Sequence, residues 1–198
     1  MQALLEPRRV AIVLSAAIVL LAILGAIVAW EPRPALARFD LDEERTVPAI
    51  FSGLLLAVCA VLALRLPRSI LPRGAATAFA ALLALASLDE LAEIHEKLER
   101  RLDVDWQLLY VPVFLAVLVV LGLFVRGLRR NGLDLRLVVA SAASWGSSQV
   151  LEALQWEDDG PASGYRWMVV AEETLEMTGS ALLLLALLTA VKAGRRVP

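Results

Sequence analysis

The chain has 198 residues, is 59% hydrophobic with a mean hydropathy of +0.70, and carries a net charge of −2. Soluble domains average about 45–50% apolar residues, so the composition argues for a membrane protein and leaves no room for a separate soluble domain. A single cysteine, Cys59, excludes an internal disulfide and a multi-cysteine metal site, and a single histidine, His95, excludes chemistry that needs several imidazoles in one chain.

A spanning helix needs about 20 mostly apolar residues. Six stretches approach that length: about 10–30, 48–66, 75–96, 108–125, 137–156 and 168–191. The expected fold is therefore an all-α integral membrane protein. Residues 1–198 would form a single six-helix transmembrane bundle. The first stretch follows Arg8 and Arg9 like a signal peptide. It exceeds an h-region of about 7–15 residues and shows no small-x-small exit before Trp30, so it reads as a helix. The segment after it opens with Glu31, Pro32, Arg33 and Pro34, a stiff extended piece with space for at most a turn or a short surface helix.

Charge alternates along the chain. Arg8 and Arg9, then Arg65, Arg68 and Arg73, then Arg126, Arg129, Arg130 and Arg136, then Lys192, Arg195 and Arg196 mark one side. The intervening segments are acidic or mixed, with Glu157, Asp158 and Asp159 the clearest case. The positive-inside rule places both termini in the cytoplasm. Trp30, Trp106, Tyr110, Trp156, Tyr165 and Trp167 then fall at outer helix ends, where interfacial aromatics belong. A bacterial-type plasma membrane is the expected location. The basic residues are accounted for by topology, which leaves no nucleic-acid patch.

The third, fifth and sixth stretches carry acids that no Lys or Arg within them can pair. Ionisable residues inside a span are costly and mark function by default. In the third, Asp89, Glu93 and Glu96 are spaced i, i+4, i+7 and share a face, with His95 and Glu99 on an adjoining stripe and Glu90 turned about 100° away. In the fifth, Ser141, Ser144, Ser148, Glu152 and Gln155 line one face. In the sixth, Glu172, Glu173, Glu176 and Ser180 form two stripes that meet at Glu176. At a rise of about 1.5 Å per residue, Asp89, Glu152 and Glu176 reach roughly the same level, 21–23 Å above the cytoplasmic helix ends. Glu93, Gln155 and Glu173 form a second layer roughly 27 Å up. The site therefore faces the extracytoplasmic side.

Plainer readings exist for several of these residues. Glu96 and Glu99 adjoin Lys97, Arg100 and Arg101 on a solvated helix end. The serines are small enough to let helices approach closely. Protonated carboxyls can hydrogen-bond between helices, although a bundle needs no such group of acids to pack.

Carboxylates without basic partners require protons or cations. Oxygen-rich donors with one imidazole suit a divalent metal, Fe or Mn before Zn. Asp89, Glu93, Glu152, Glu172, Glu173 and Glu176 are the expected ligands, with His95 as a further ligand or as catalytic acid or base. Glu90, Glu96, Ser148 and Gln155 form the rim. Bundle-core di-metal proteins take Glu from facing helices together with Glu-x-x-His pairs. That pair is missing here, since Ala92 stands three residues before His95. Phosphate-loop, His-Glu-x-x-His and Gly-x-Ser-x-Gly signatures are also absent from the sequence.

Two functions are consistent with this pattern. One is a metal-dependent membrane enzyme acting on a lipid or small hydrophobic substrate. The other is a proton- or cation-coupled transporter or channel component. Membrane lipids are the expected partners, with a second copy of the chain or another membrane subunit as further candidates. The spans lack a central Pro or Gly pair, which favours a one-sided pocket over a through-path.

Overall fold

The computed structural model describes residues 6–31, 33–43, 45–157 and 160–194, without the side chains of Glu96 and Glu157. Eight α-helices dominate it: α1 (Pro7–Trp30), α2 (Val47–Ala63), α3 (Arg73–Ala92), α4 (Ile94–Leu102), α5 (Trp106–Leu109), α6 (Val111–Arg130), α7 (Arg136–Ala153) and α8 (Tyr165–Gly194). A 3-10 turn over Pro34–Phe39 fills the first loop, within the size the sequence leaves for it. Two short antiparallel strands, β1 (Trp156–Glu157) and β2 (Gly160–Pro161), join α7 to α8.

Four helices, α1, α3, α6 and α8, are long and apolar enough to cross a membrane. α2 is apolar but shorter, at 17 residues. α7 has 18 residues, with the serine stripe diluting its apolar character. Proline supplies the first turn of α1, α2 and α6, where its missing N–H removes no helical bond.

α8 is the central helix. It is apolar on most sides and buried along most of its length, as a core helix should be. α1, α2 and α7 pack against it, α2 also packs on α3, and α3 on α6. Phe124, Leu187, Met177, Leu71 and Cys59 are fully enclosed in the resulting core. Cys59 is thus a packing residue. Close approach depends on small residues in two places. A Cβ on Gly127 of α6 would run into the Ile70 carbonyl, and one on Gly179 of α8 would fall inside van der Waals contact of Trp145. Beside the second contact Ser141 Oγ donates to Gly179 O at 2.7 Å, so this serine does serve helix packing.

The third expected span ends early. Glu93 adopts a left-handed conformation, φ +52°, and separates α3 from α4. This conformation costs a non-glycine residue about 1–2 kcal/mol. It also cancels the i, i+4, i+7 face expected for Asp89, Glu93 and Glu96, because the helix does not continue through them. The Glu96 side chain itself lies outside the described residues. Instead the break folds α4 back so that its first turn meets Asp89.

The expected outer aromatics do collect at one end of the bundle. Trp30 packs tilted against Trp167 with centroids 4.5 Å apart, and Trp156 meets Tyr165 at 5.6 Å and Trp106 meets Tyr110 at 5.4 Å edge to face. Tyr165 Oη donates to Asp42 Oδ1 at 2.5 Å and ties the first loop to the start of α8.

Candidate functional site: an acid-walled cavity

A cavity of about 810 Å³ opens among α3, α5, α6, α7 and α8 toward this aromatic end. It is lined by Asp89, Glu90, His95, Glu152, Gln155, Glu172, Glu173 and Glu176, so most of the expected site residues share one space.

Its geometry starts at the α3–α4 break. His95 N donates to Asp89 Oδ1 at 2.8 Å, so the Asp89 side chain satisfies a first-turn N–H of α4 that would otherwise lack a helical acceptor. His95 Nδ1 lies 3.1 Å from Asp89 Oδ2, and Tyr110 Oη donates to Asp89 Oδ1 at 3.0 Å. The carboxylate thus fixes the imidazole as well as the backbone. A proton on Nδ1 facing the carboxylate makes Nε2 the lone-pair nitrogen.

From this pair a chain of contacts reaches the other wall. The His95 and Trp106 rings lie 4.9 Å apart. Trp106 Nε1 donates to Glu152 Oε1 at 2.9 Å. Gln149 Nε2 donates to Glu152 Oε2 at 3.2 Å and reaches Glu176 Oε1 at 3.5 Å. Ser148 Oγ donates to Glu176 Oε1 at 3.2 Å. Contacts through His95, Trp106 and Gln149 therefore connect Asp89, Glu152 and Glu176 across three helices. One turn nearer the aromatic end, Gln155 Nε2 donates to Glu172 Oε2.

Glu172 and Glu176 are each only 8% exposed. One oxygen of each takes the bonds just named; among the described residues, Oε1 of Glu172 and Oε2 of Glu176 accept no hydrogen bond. Glu176 also lies within electrostatic reach of Glu90, Glu172 and Glu152. Among the described residues no Lys or Arg lines the cavity.

Glu93 departs from this arrangement. It turns out of the cavity and pairs with Arg45 at 2.8 Å and Lys97 at 3.7 Å. The structure thus places this expected ligand apart from the other acids, outside the cavity lining. The left-handed φ at Glu93 directs the side chain toward cations that lie outside the apolar runs. Glu173 lines the cavity, so of the second expected layer Gln155 and Glu173 remain in it.

Among the described residues no three His, Cys, Asp or Glu side chains converge as metal ligands. Side-chain and backbone donors occupy the acids instead: Tyr110 and the α4 backbone hold Asp89, Trp106 and Gln149 hold Glu152, Gln155 holds Glu172, and Ser148 and Gln149 hold Glu176. Three contributors escaped the sequence reading. Trp106 and Tyr110 looked like interfacial aromatics, although their polar tips were a signal that they would seek acceptors. Gln149 sits off the serine stripe, and its amide within an apolar run was the available signal.

Residues 9–191 match the family described as Domain of unknown function (DUF8692), and the chain belongs to that family. No curated protein and no solved structure matches the chain.

Proposed function

We propose that this is a six-span plasma-membrane protein, with both termini in the cytoplasm, that binds a lipid-like or small hydrophobic substrate in the outer half of the bilayer. The Asp89–His95 pair is positioned for acid–base work on that substrate. The observation that carries the reading is the cavity itself. It joins buried acids and an oriented imidazole to apolar walls from α3 and α6, including Phe79, Leu83, Val117 and Leu121. Polar groups converging in an otherwise apolar pocket of this size suit a small-molecule site. Helices α2 and α7 are short for a span, at 17 and 18 residues. Local thinning or packing inside a bundle accommodates such lengths, and the alternation of basic and acidic segments supports the six-span arrangement.

A divalent metal, Fe or Mn before Zn, is the competing occupant, favoured by the adjacency of an Asp carboxylate and an imidazole on one wall. Native mass spectrometry and elemental analysis of the full chain, extracted gently from its membrane, test both. The proposal expects one bound hydrophobic molecule per chain and metal below one-tenth equivalent. A stoichiometric metal with no bound molecule would replace it with the metal-dependent reading.

A further inference from the structure

We infer that the cavity takes a single-chain amphiphile with an amine head, which enters sideways between α6 and α7 with its alkyl chain trailing through that opening. The inference rests on the substrate-binding reading above and names the substrate class and its route.

The head is specified by charge and by rings. Glu172 and Glu176 are almost fully buried, and each presents to the cavity a carboxylate oxygen that accepts no hydrogen bond among the described residues. Each carboxylate is held through one oxygen and keeps the other open to the cavity space, and an ammonium group supplies both a counter-charge and donors for those open oxygens. A phosphate or carboxylate head would meet acids with no lining Lys or Arg among the described residues. Facing the acids, Trp106, Tyr110 and Phe114 form a mutually packed aromatic group, with Trp106 and Phe114 centroids 6.0 Å apart and Tyr110 and Phe114 6.5 Å apart. All three line the cavity. Aromatic faces attract ammonium groups through their ring quadrupoles. The Trp106 ring is locked by its bond to Glu152, so its orientation is set before a ligand arrives.

The route is specified by packing. α7 packs along α8 and α6 along α3, while α6 and α7 share no extended contact. Residues on both sides of this gap line the cavity, among them Leu118 of α6 and Ala142 and Gly146 of α7. Leu118 is nevertheless 64% exposed, so the cavity opens there to the surroundings of the helices. A Cβ added at Gly146 would meet nothing within 4 Å, which leaves the passage clear at that point. Gly146 stands about 15 Å above the cytoplasmic start of α7 and Leu118 about 10 Å below the outer start of α6. Both lie at the depth of the acyl chains. An opening at that depth admits an alkyl chain directly from lipid.

The test uses the full chain in nanodiscs, with dodecylamine, dodecyl phosphate and butylamine as probes. Dodecylamine is expected to bind one per chain and at least tenfold more tightly than dodecyl phosphate. Glu176→Gln should weaken dodecylamine at least tenfold. Gly146→Phe, which fills the passage, should weaken dodecylamine at least tenfold and leave butylamine unchanged. Gly74→Phe, near the start of α3 where an added Cβ also meets nothing and outside the cavity lining, is the control and should change neither. Gly146→Leu provides a smaller plug if the Phe variant misfolds. Equal or tighter binding of dodecyl phosphate would overturn the amine head while leaving a substrate pocket in place. Unchanged dodecylamine binding in both Gly146 variants would overturn the route. No binding of any long-chain probe, in a sample that also holds no native ligand, would overturn the pocket reading and this inference with it.

Discussion

Asp89→Ala should straighten the α3–α4 break and dismantle the His95 wall of the cavity. The left-handed Glu93 costs about 1–2 kcal/mol. Against this, Asp89 accepts from His95 N at 2.8 Å and Tyr110 Oη at 3.0 Å, and holds His95 Nδ1 at 3.1 Å. Hydrogen bonds to a charged group contribute about 1.5–3 kcal/mol each. They share one carboxylate and do not add fully, so a joint contribution of about 3–5 kcal/mol is a reasonable scale. That exceeds the backbone cost, and the break persists. Without the carboxylate the balance reverses, and α3 gains by running on through Glu93. In a continuous helix, residues six apart are separated by about 240° around the axis, so His95 would no longer meet position 89. Hydrogen exchange at the His95 and Lys97 amides reads the change directly, and Trp106 fluorescence reports the loss of its imidazole neighbour. Asp89→Asn keeps an acceptor at Oδ1 and should retain most of the break. If Asp89→Ala leaves α4 exchange and Trp106 emission as they are, the kink is held by something else and the reasoning fails.

Other substitutions separate local strain from packing. Glu93→Gly removes the left-handed cost but loses the Arg45 pair, whose arginine is largely exposed and contributes about 0–1 kcal/mol. Its melting temperature should match or exceed that of the parent, whereas Glu93→Val should fall by more than about 1 kcal/mol equivalent. Gly179→Ala forces Trp145 and α7 away from α8 and should cost about 1–3 kcal/mol in detergent unfolding, while Gly122→Ala should be neutral or stabilising. Trp106→Phe keeps a ring but removes the donor to Glu152; a loss of about 1–3 kcal/mol is expected from leaving that partly buried oxygen short of a partner.

The apolar runs were readable because membrane helices declare themselves by length and composition, and the polar stripe of α7 because a helix repeats every 3.6 residues. Ser148, Glu152 and Gln155 accordingly reach the acids or amides expected of a shared site. The break at Glu93 was not readable. No Gly or Pro marks it, and the groups that hold it come from Tyr110, Arg45 and the His95 backbone, which only tertiary structure brings together. For the same reason a regular i, i+4 reading placed Glu93 inside the site, when its charge is spent on cations outside. The one-residue change of backbone state at Glu93 also explains how His95, six positions from Asp89, becomes its closest polar neighbour. Trp106 illustrates a different failure. Its place near a helix end was legible, but the direction of its indole N–H depends on where α5 sets it against Glu152 of α7.

The central claim is that the acids of α7 and α8 and the aromatics of α5 and α6 enclose one ligand reached from the lipid between α6 and α7. A cryo-electron microscopy map of the full chain in nanodiscs made from its own membrane tests this most directly. The account predicts chain-shaped density passing Leu118 and Gly146, with its polar end at Glu172 and Glu176. A map in which α6 and α7 close against each other, with ordered lipid only outside the bundle, would contradict it.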